Sequence, residues 1–331
     1  MPEKLTIWAV SDGKAGIENQ VLGLAEEVAR LSPADIVTKR VRYRPEFDRL
    51  PSFLKLFPDA MLAPDSDAII PPWPDLWIAA GRATIPHAIR MRQRSGGKTF
   101  VIQLQDPRHD PRAFDLVIAP EHDHVSGDNV LQLIGSTNRI TPEQIAQGYA
   151  GWEGRIASLT HPRVAVLVGG RSKAYDLTAA RATAIAAEVR RAVLDNGGSL
   201  LLTVSRRTPE EARTVLIDSL KDLPGILWDG TGGNPYFAFL HAADHILVTE
   251  DSVNMATEAA VTGKPVQIIP LDRRSLGAET KFDDFHESLR ARGIALPFDG
   301  ALRGEPYEPL RETGRAARFV LDKWHEKSGM T

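Results

Sequence analysis

Apolar residues along the chain follow two patterns that alternate from one end to the other. Short continuous apolar runs predict strands at 5–10, 36–43, 76–80, 99–104, 114–118, 130–134, 163–168, 199–204, 225–228, 245–249 and 265–269. Apolar positions three or four residues apart predict helices at 18–31, 178–195, 209–221, 251–262 and 280–292. Because strands and helices alternate, we expect βαβ units and parallel sheets that helices cover on both faces.

The pattern divides the chain into two similar halves. Each half opens with an apolar strand, a glycine-bearing loop and an amphipathic helix, as in "LTIWAVSDGKAGIENQVLGLAEEVARL" and "RVAVLVGGRSKAYDLTAARATAIAAEVRRAV". A chain of 331 residues is also longer than one hydrophobic core usually grows. We therefore predict two Rossmann-like, doubly wound α/β domains at 1–155 and 156–304. A last amphipathic helix at 309–327 is expected to pack back onto the first domain, which then includes 305–331.

Composition narrows the classes of function. The net charge of −3 gives no basic footprint for nucleic acid, and the lack of cysteine removes disulfides, thiolate metal sites and cysteine nucleophiles. No apolar run approaches the roughly 20 residues that span a bilayer. The short apolar run in "MPEKLTIWAV" is typical of a first strand and not of a signal peptide. A cytoplasmic protein is therefore expected.

Loops after the predicted strands of the second half carry candidate phosphate-binding groups. Ligands of open parallel sheets bind beyond the carboxyl ends of the strands, where backbone amides and helix amino termini face them. Gly169 and Gly170 in "VGGRSKAY" would let the backbone approach a phosphate, although a plain strand-to-helix turn explains them equally well.

The next loop, "TVSRRTP", combines helix-capping residues with arginines. Ser205 or Thr208 is expected to cap a helix that starts near Pro209, and Ser205 is also assigned to the nucleotide-sugar site. Arg206, followed by a second arginine, would then lie beside a helix amino terminus and bind a diphosphate, unless both are simply solvated.

The segment "TEDSVNMATEAAVTGKPVQIIP" (249–270) places polar residues after a buried strand. Asp251 and Ser252 are plausible caps of the following helix, on which Ser252, Met255 and Glu258 share one face. A carboxylate there can accept hydrogen bonds from both ribose hydroxyls, and a surface glutamate on a capped helix is the alternative. Asn234 starts a further helix before this strand and is assigned to the same site, as is Asn254.

This segment resembles the nucleotide-sugar half of GT-B glycosyltransferases, which include the lipid-intermediate N-acetylglucosaminyltransferase of peptidoglycan synthesis. Over a longer part of its length, the chain resembles the Elongated Mitochondria family, whose plant members are named for mitochondrial fission. The matching segments are "SDGKAGIENQ", "AAGRATIP", "QLQDPRHDPRAFDLVIAPEHD", "GGRSKAY", "TVSRRTP" and "TEDSVNMATEAAVTGKPV". The resemblance implies a GT-B-like architecture of two Rossmann-like domains that face a central cleft. It also implies a nucleoside diphosphate sugar as donor substrate, with no cofactor and no bound metal.

The resemblance assigns roles to individual residues. Glu258 matches the ribose-binding position, the turn from Ser252 to Met255 lies beside the diphosphate, and Gly169 and Gly170 form the glycine loop of the donor domain. The loops of the first domain would face the acceptor, and they contain Gly13, Lys14, Gly16, Asn19, Gly81 and Arg82.

The sequence departs from that pattern where the peptidoglycan enzyme has a histidine after its first glycine loop. Ile17, Glu18 and Asn19 stand here instead. Asp12, Asp106 and His109 remain as the three preferred candidate general bases, each in a loop after a predicted strand, and Asp110 and His87 are further candidates. His122 and His124 in "EHDH" are too few ligands to specify a metal, so we expect a solvated loop.

Several alternatives stay open. The segment 49–64 can form a membrane-surface helix near a lipid-linked acceptor, giving peripheral contact with the inner membrane, or it can pack on the first domain. The acceptor can also be a protein. A transferase is expected, but a non-catalytic GT-B-like scaffold in membrane or organelle division, or a nucleotide-sugar epimerase, fits the same residues.

Overall fold

In the computed structural model, the described residues are 4–50, 55, 57–274 and 280–329. They form two compact units, of which the first comprises Met1–Arg139 with Arg311–Thr331 and the second Ile140–Leu310. Each unit contains one six-stranded parallel sheet flanked by helices. The predicted α/β class with two parallel sheets is confirmed.

The first unit forms a sheet in the order β2-β1-β3-β4-β5-β6 with all neighbours parallel. Its elements are β1 (Leu5–Ser11), α1 (Ala15–Leu31), β2 (Ala34–Arg40), α2 (Pro45–Asp48), β3 (Leu76–Ala80), α3 (Ile85–Arg94), β4 (Phe100–Leu104), β5 (Leu116–Pro120) and β6 (Val130–Leu133). Short 3-10 turns lie at Asp59–Met61, Pro111–Ala113 and Glu121–Asp123.

The second unit has the strand order β10-β9-β7-β11-β12-β14, which is the Rossmann order counted from β7. Its elements are α4 (Pro142–Ala150), α5 (Glu153–Ile156), β7 (Arg163–Val168), β8 (Tyr175–Asp176), α6 (Ala179–Asp195), β9 (Ser199–Val204), α7 (Glu210–Leu220), β10 (Gly225–Trp228), α8 (Tyr236–Ala242), β11 (His245–Thr249), α9 (Val253–Ala260), β12 (Val266–Ile269), β13 (Asp272–Arg273), α10 (Thr280–Ala291) and β14 (Ala295–Pro297). The two-residue strands β8 and β13 pair antiparallel beside the main sheet.

The chain returns to the first unit through its last helix, α11 (Glu312–Ser328). Ala316, Ala317 and Val320 are buried in the same apolar cluster as α1 and one face of the first sheet. The Glu312 carboxylate also accepts a hydrogen bond from the Ile134 amide at 2.7 Å, just after β6. The amphipathic stripe of this helix is therefore buried against first-unit elements.

The segment before the second sheet packs within the second unit. The ring of Tyr149 in α4 stacks on His241 of α8 with centroids 4.5 Å apart. Gly148 lies so close to Phe237 that an added Cβ would be 2.6 Å from its Cβ. Residues 140–155, which the sequence analysis gave to the first domain, thus belong to the second unit.

Element positions differ from the sequence predictions in a few places. The strand predicted at 36–43 is β2 at 34–40. It ends there because the chain beyond it no longer pairs with β1, and Tyr43 forms an antiparallel bridge with Leu62. The strand predicted at 114–118 is β5 at 116–120. Helices α2 and α3 and strands β8, β13 and β14 were not predicted.

Within the described residues, no helix is long and apolar enough to cross a membrane. The proposed membrane-surface helix at 49–64 includes 51–54 and 56, which lie outside the described residues. That helix stays a prediction.

Candidate functional site

The candidate nucleotide site lies where the second sheet reverses its strand order, between β7 and β11. These two strands are parallel neighbours, so the loops after them leave the sheet side by side. The loop after β7 contains Gly169 and Gly170, and the loop after β11 leads through Asp251 and Ser252 into α9. In doubly wound folds, this crevice is the usual ligand position.

Asp251 ties the two loops together. Its buried carboxylate accepts hydrogen bonds from the Gly170 amide at 3.0 Å and from the Thr249 hydroxyl at 2.7 Å. The Thr249 hydroxyl in turn accepts one from the Gly169 amide at 2.7 Å. A Cβ on Gly169 would lie 2.3 Å from the Asp251 carboxylate, which explains the glycine. The Gly169 and Gly170 amides already donate hydrogen bonds to side chains of the protein. Contact of Gly169, Gly170 and Asp251 with a phosphate therefore stays a prediction.

The electrostatics of Asp251 reflect its burial. Burial raises the pKa of the carboxyl above its ordinary value, while the Arg207 guanidinium and the hydrogen bonds oppose that rise. The guanidinium lies 2.9 Å from the carboxylate and its side chain is about half exposed. Arg207, the second arginine of the loop, therefore helps to hold the two loops together.

The loop after β9 has a different role from the one predicted for its hydroxyl residues. Ser205 donates a hydrogen bond to the Gly169 carbonyl at 2.8 Å, and Thr208 donates to the same oxygen. Helix α7 begins at Glu210 after Pro209 with no side-chain cap, so the capping prediction is wrong. Arg206 is exposed and forms no ion pair with any residue of the described ranges.

Helix α9 presents the predicted carboxylate. Ser252 caps the helix by accepting a hydrogen bond from the Met255 amide at 3.3 Å, as predicted. Asn254 and Met255 are half-buried in the first turn. One and a half turns on, Glu258 accepts a hydrogen bond from the Tyr236 hydroxyl at 2.6 Å.

Glu258 is a half-buried acid without a cationic partner among the described residues. Burial raises the pKa of its carboxyl from 4.5 to about 7, and the hydrogen bond from Tyr236 opposes that rise. Burial and the neighbouring carboxyl also raise the pKa of Tyr236 well above its usual value, so the phenol stays protonated and donates. The site therefore contains a carboxyl group that ionises near neutral pH.

Tyr236 was missed by the sequence analysis. Asn234, predicted to start this helix, accepts a hydrogen bond from the Tyr236 amide at 3.0 Å and so fixes the first turn of α8. The contact between Tyr236 and Glu258 joins residues 22 positions apart on two helices. Apolar periodicity carries no signal for such a pair.

The acceptor-side residues of the prediction lie around the carboxyl ends of β1 and β3. Asp12 follows β1, and its carboxylate accepts a hydrogen bond from the Lys14 amide at 3.1 Å while pairing with the Lys14 ammonium. Gly81 has a φ of +86°, and a Cβ there would lie 3.8 Å from that carboxylate. Lys14 and Arg82 line a pocket of about 700 Å³ with Asp12 and Gly81. Gly13 has a φ of +80° in the same loop, whereas Gly16 and Asn19 are exposed on the first turns of α1.

Two of the three candidate bases lie outside that pocket lining. Asp106 accepts a hydrogen bond from the Arg108 amide at 2.8 Å and holds its own loop. His109 is exposed and packs edge-on against Phe114 with ring centroids 6.4 Å apart. The structure therefore groups Asp12 with the predicted acceptor-side loops and leaves Asp106 and His109 apart from it.

The candidate metal segment is a short turn. Glu121–Asp123 form a 3-10 turn in which His122 is buried, and His124 follows with a φ of 54°. Among the described residues, no three His, Cys, Asp or Glu side chains are grouped so that they could hold a metal ion.

Comparison with known proteins identifies relatives along nearly the whole chain. Residues 15–324 match the family described as "Mitochondrial fission ELM1". The mitochondrial fission protein ELM1 of Arabidopsis thaliana is 30% identical over 274 residues, which cover 75% of this chain and 63% of the plant protein. The chain thus matches less than two thirds of the plant protein's length. Protein RP120 of Rickettsia prowazekii is 25% identical over 372 residues, covering 96% of this chain and 98% of that protein.

Solved structures share the architecture at low identity. UDP-GlcNAc 2-epimerase from Neisseria meningitidis, bound to UDP-GlcNAc, has a TM-score of 0.57 at 12% identity and covers 97% of this chain and 100% of its own. MnaA of S. aureus with UDP has a TM-score of 0.55 at 12% identity, covering 99% and 98%. MurG of Acinetobacter baumannii has a TM-score of 0.50 at 11% identity, covering 99% and 93%. These similarities show the fold, and the predicted GT-B type is confirmed.

Proposed function

This chain belongs to the Mitochondrial fission ELM1 family, and on that premise we propose that its second unit binds a nucleoside diphosphate sugar. We further propose that the protein transfers the sugar from this donor to an acceptor. Fold alone does not determine function, so the proposal depends on the residues at the edge of the second sheet.

The observation that carries the proposal is the environment of Glu258. Ionised carboxylates are costly to bury unless a cation or several hydrogen bonds compensate them. Among the described residues, Glu258 has the Tyr236 hydroxyl as a hydrogen-bond donor and no cation within ion-pairing distance. A carboxylate has about four acceptor positions, so capacity for further donors remains. Two neighbouring ribose hydroxyls are donors of the right kind and number.

The diphosphate would contact the first turn of α9 and the loop after β9. Helix amino termini carry partial positive charge and amides that lack intrahelical partners. Arg206 is exposed and without an ion pair among the described residues, so it can bind phosphate oxygens without breaking an existing contact. Arg207 is less suitable because it already pairs with Asp251.

For the transfer step we propose Asp12 as the general base. Its side chain is 13% exposed, and it lies in the loop after β1 together with Lys14. A base has to come within hydrogen-bond reach of the acceptor hydroxyl. Asp12 lines a pocket that can admit such a group, whereas Asp106 and His109 are not part of that lining.

Calorimetric titration of the full chain with uridine, adenosine and guanosine diphosphates and with UDP-GlcNAc tests the donor site. We expect saturable binding of at least one of them. Glu258→Ala should weaken it by about 1.5–3 kcal/mol, the range for a hydrogen bond to a charged group. Arg206→Gln should weaken the binding of nucleoside diphosphates and leave the binding of the free nucleoside unchanged.

Lys98→Gln, at an exposed lysine of the first unit, is the matched control, and it should leave nucleotide affinity unchanged. Equal affinities of wild type and Glu258→Ala would remove Glu258 from the site. If the wild type binds none of these nucleotides, the non-catalytic scaffold replaces the transferase as the preferred function.

A further inference from the structure

The pocket of the first unit has an unusual concentration of positive charge. It measures about 700 Å³ and lies at the carboxyl ends of β1 and β3, where the strand order of the first sheet reverses. Five basic side chains of the described residues line it: Lys14, Arg42, Arg49, Lys55 and Arg82. Among the same residues Asp12 is the single acid of the lining, although the chain as a whole carries a net charge of −3. A cleft lined by one sign of charge concentrates ions of the opposite sign.

The basic side chains are held in place by the surrounding structure. The Lys55 side chain is buried at 4% exposure, with its ammonium 5.2 Å from the ring centroid of Tyr43 and 5.6 Å from that of Phe47. Gly13 lets Arg42 approach the loop after β1, since a Cβ there would lie 3.3 Å from the guanidinium.

Existing acids neutralise only part of this charge. Lys14 pairs with Asp12, and Arg42 lies 2.6 Å from Asp65, an exposed residue outside the lining. Arg49 and Arg82 form no ion pair with any of the residues that the structure describes. The pocket therefore has cationic donors available for an anionic ligand.

The rest of the lining indicates what the anion is attached to. Ile17, Val41, Leu50, Ala83 and the ring of Tyr43 give the pocket an apolar wall. Its volume lies in the range of about 300–1,000 Å³ that is typical of sites for organic ligands, and is far larger than a bare phosphate requires. The expected ligand thus combines a doubly charged group with an apolar or ring-containing body.

We propose that this basic pocket binds the phosphate or diphosphate group of an organic phosphate ester through Lys14, Arg42 and Arg82, with the ester's organic part against the apolar wall. Binding here does not rest on the proposed nucleotide site, because all the lining residues that the structure describes belong to the first unit. If this ligand is also the acceptor of the sugar, that role depends on the proposed function of the second unit.

The test measures binding of farnesyl diphosphate, inorganic pyrophosphate and farnesol to the full chain by calorimetry in a phosphate-free buffer. Vesicles of phosphatidylcholine with and without phosphatidic acid form a second arm. Farnesyl diphosphate should bind, and farnesol should not. Binding to the phosphatidic acid vesicles in addition would identify a lipid headgroup as the source of the phosphate, and binding of the soluble ester alone would identify a free phosphate ester.

Variants localise the binding. Arg82→Gln and Arg42→Gln should each weaken farnesyl diphosphate binding by about tenfold to a hundredfold, as expected for loss of a hydrogen bond to a charged group. Lys98→Gln removes an exposed lysine outside the lining and should have no effect. Glu258→Ala should also have none, which separates this site from the nucleotide site. No saturable binding of any phosphate probe, or equal losses in Arg82→Gln and Lys98→Gln, would overturn the proposal.

Discussion

Replacing Glu258 with glutamine should make the protein more stable at alkaline pH. The glutamine side chain has the same shape and can still accept the hydrogen bond from Tyr236, but it cannot ionise. In the wild type, the pKa of Glu258 is raised from 4.5 to about 7 by burial. The folded state therefore holds the proton more tightly than the unfolded chain. The stabilisation from the neutral acid is fully present below pH 4.5 and is lost as the pH rises through about 7.

The size of the effect follows from the shift. One pKa unit corresponds to about 1.36 kcal/mol, so the rise in the pKa of Glu258 represents roughly 3 kcal/mol at most. Above pH 8, we expect the free energy of unfolding of Glu258→Gln to exceed that of wild type by up to that amount. Near pH 5, the two should differ by much less, because both side chains are then mostly neutral in the folded state.

Urea denaturation of both proteins at pH 5 and at pH 8.5 measures this difference. Glu210→Gln, at a side chain that is 74% exposed, is the matched control and should give a difference that does not change with pH. Tyr236→Phe should widen the pH dependence, because it removes the hydrogen bond that favours the ionised carboxylate. If wild type and Glu258→Gln keep the same difference at both pH values, Glu258 does not have the raised pKa described above.

Three further outcomes are expected. Nucleotide affinity of the wild type should rise by about tenfold from pH 6 to pH 8, because the ionised fraction of Glu258, with a pKa of about 7, rises by that factor. Calorimetry should find no such rise in Glu258→Gln. Gly169→Ala should lower the free energy of unfolding in urea by about 1–3 kcal/mol, because the added Cβ would lie 2.3 Å from the Asp251 carboxylate. Gly154→Ala is the control and should cause no loss, because a Cβ there meets nothing within 4 Å. Leu321→Ala should cost about 2 kcal/mol or more because this residue is buried with α1, and a loss no larger than that of an exposed substitution such as Leu194→Ala would contradict the packing of α11.

The strands of the second unit were the most predictable elements. Those at 163–168, 199–204, 225–228 and 245–249 have the predicted bounds, because helices bury both faces of a parallel sheet and the strands become continuous apolar runs. Helix α3 was missed because Arg90, Arg92 and Arg94 interrupt its apolar spacing. Strand β14 was missed because three residues are too few to form a pattern.

The candidate site was predictable only where it depends on local sequence. The Ser252 cap and the placement of Glu258 on the helix follow from spacing within one segment. The network around Asp251 does not, since the Gly169 amide bonds to Thr249 across 80 residues. Tyr236 meets Glu258 only through the packing of two helices, and the sequence has no periodicity that links them.

The position of α11 has a consequence for how the protein is made. A ribosome releases the amino end first, yet the first unit needs Arg311–Thr331 before its sheet is covered. The continuous second unit, Ile140–Leu310, emerges in between, which takes roughly 10 to 30 s at common translation rates. We therefore expect the second unit to complete its folding first, although it is encoded later than most of the first. A chain terminated just before α11 would carry a finished second unit and an incomplete first one.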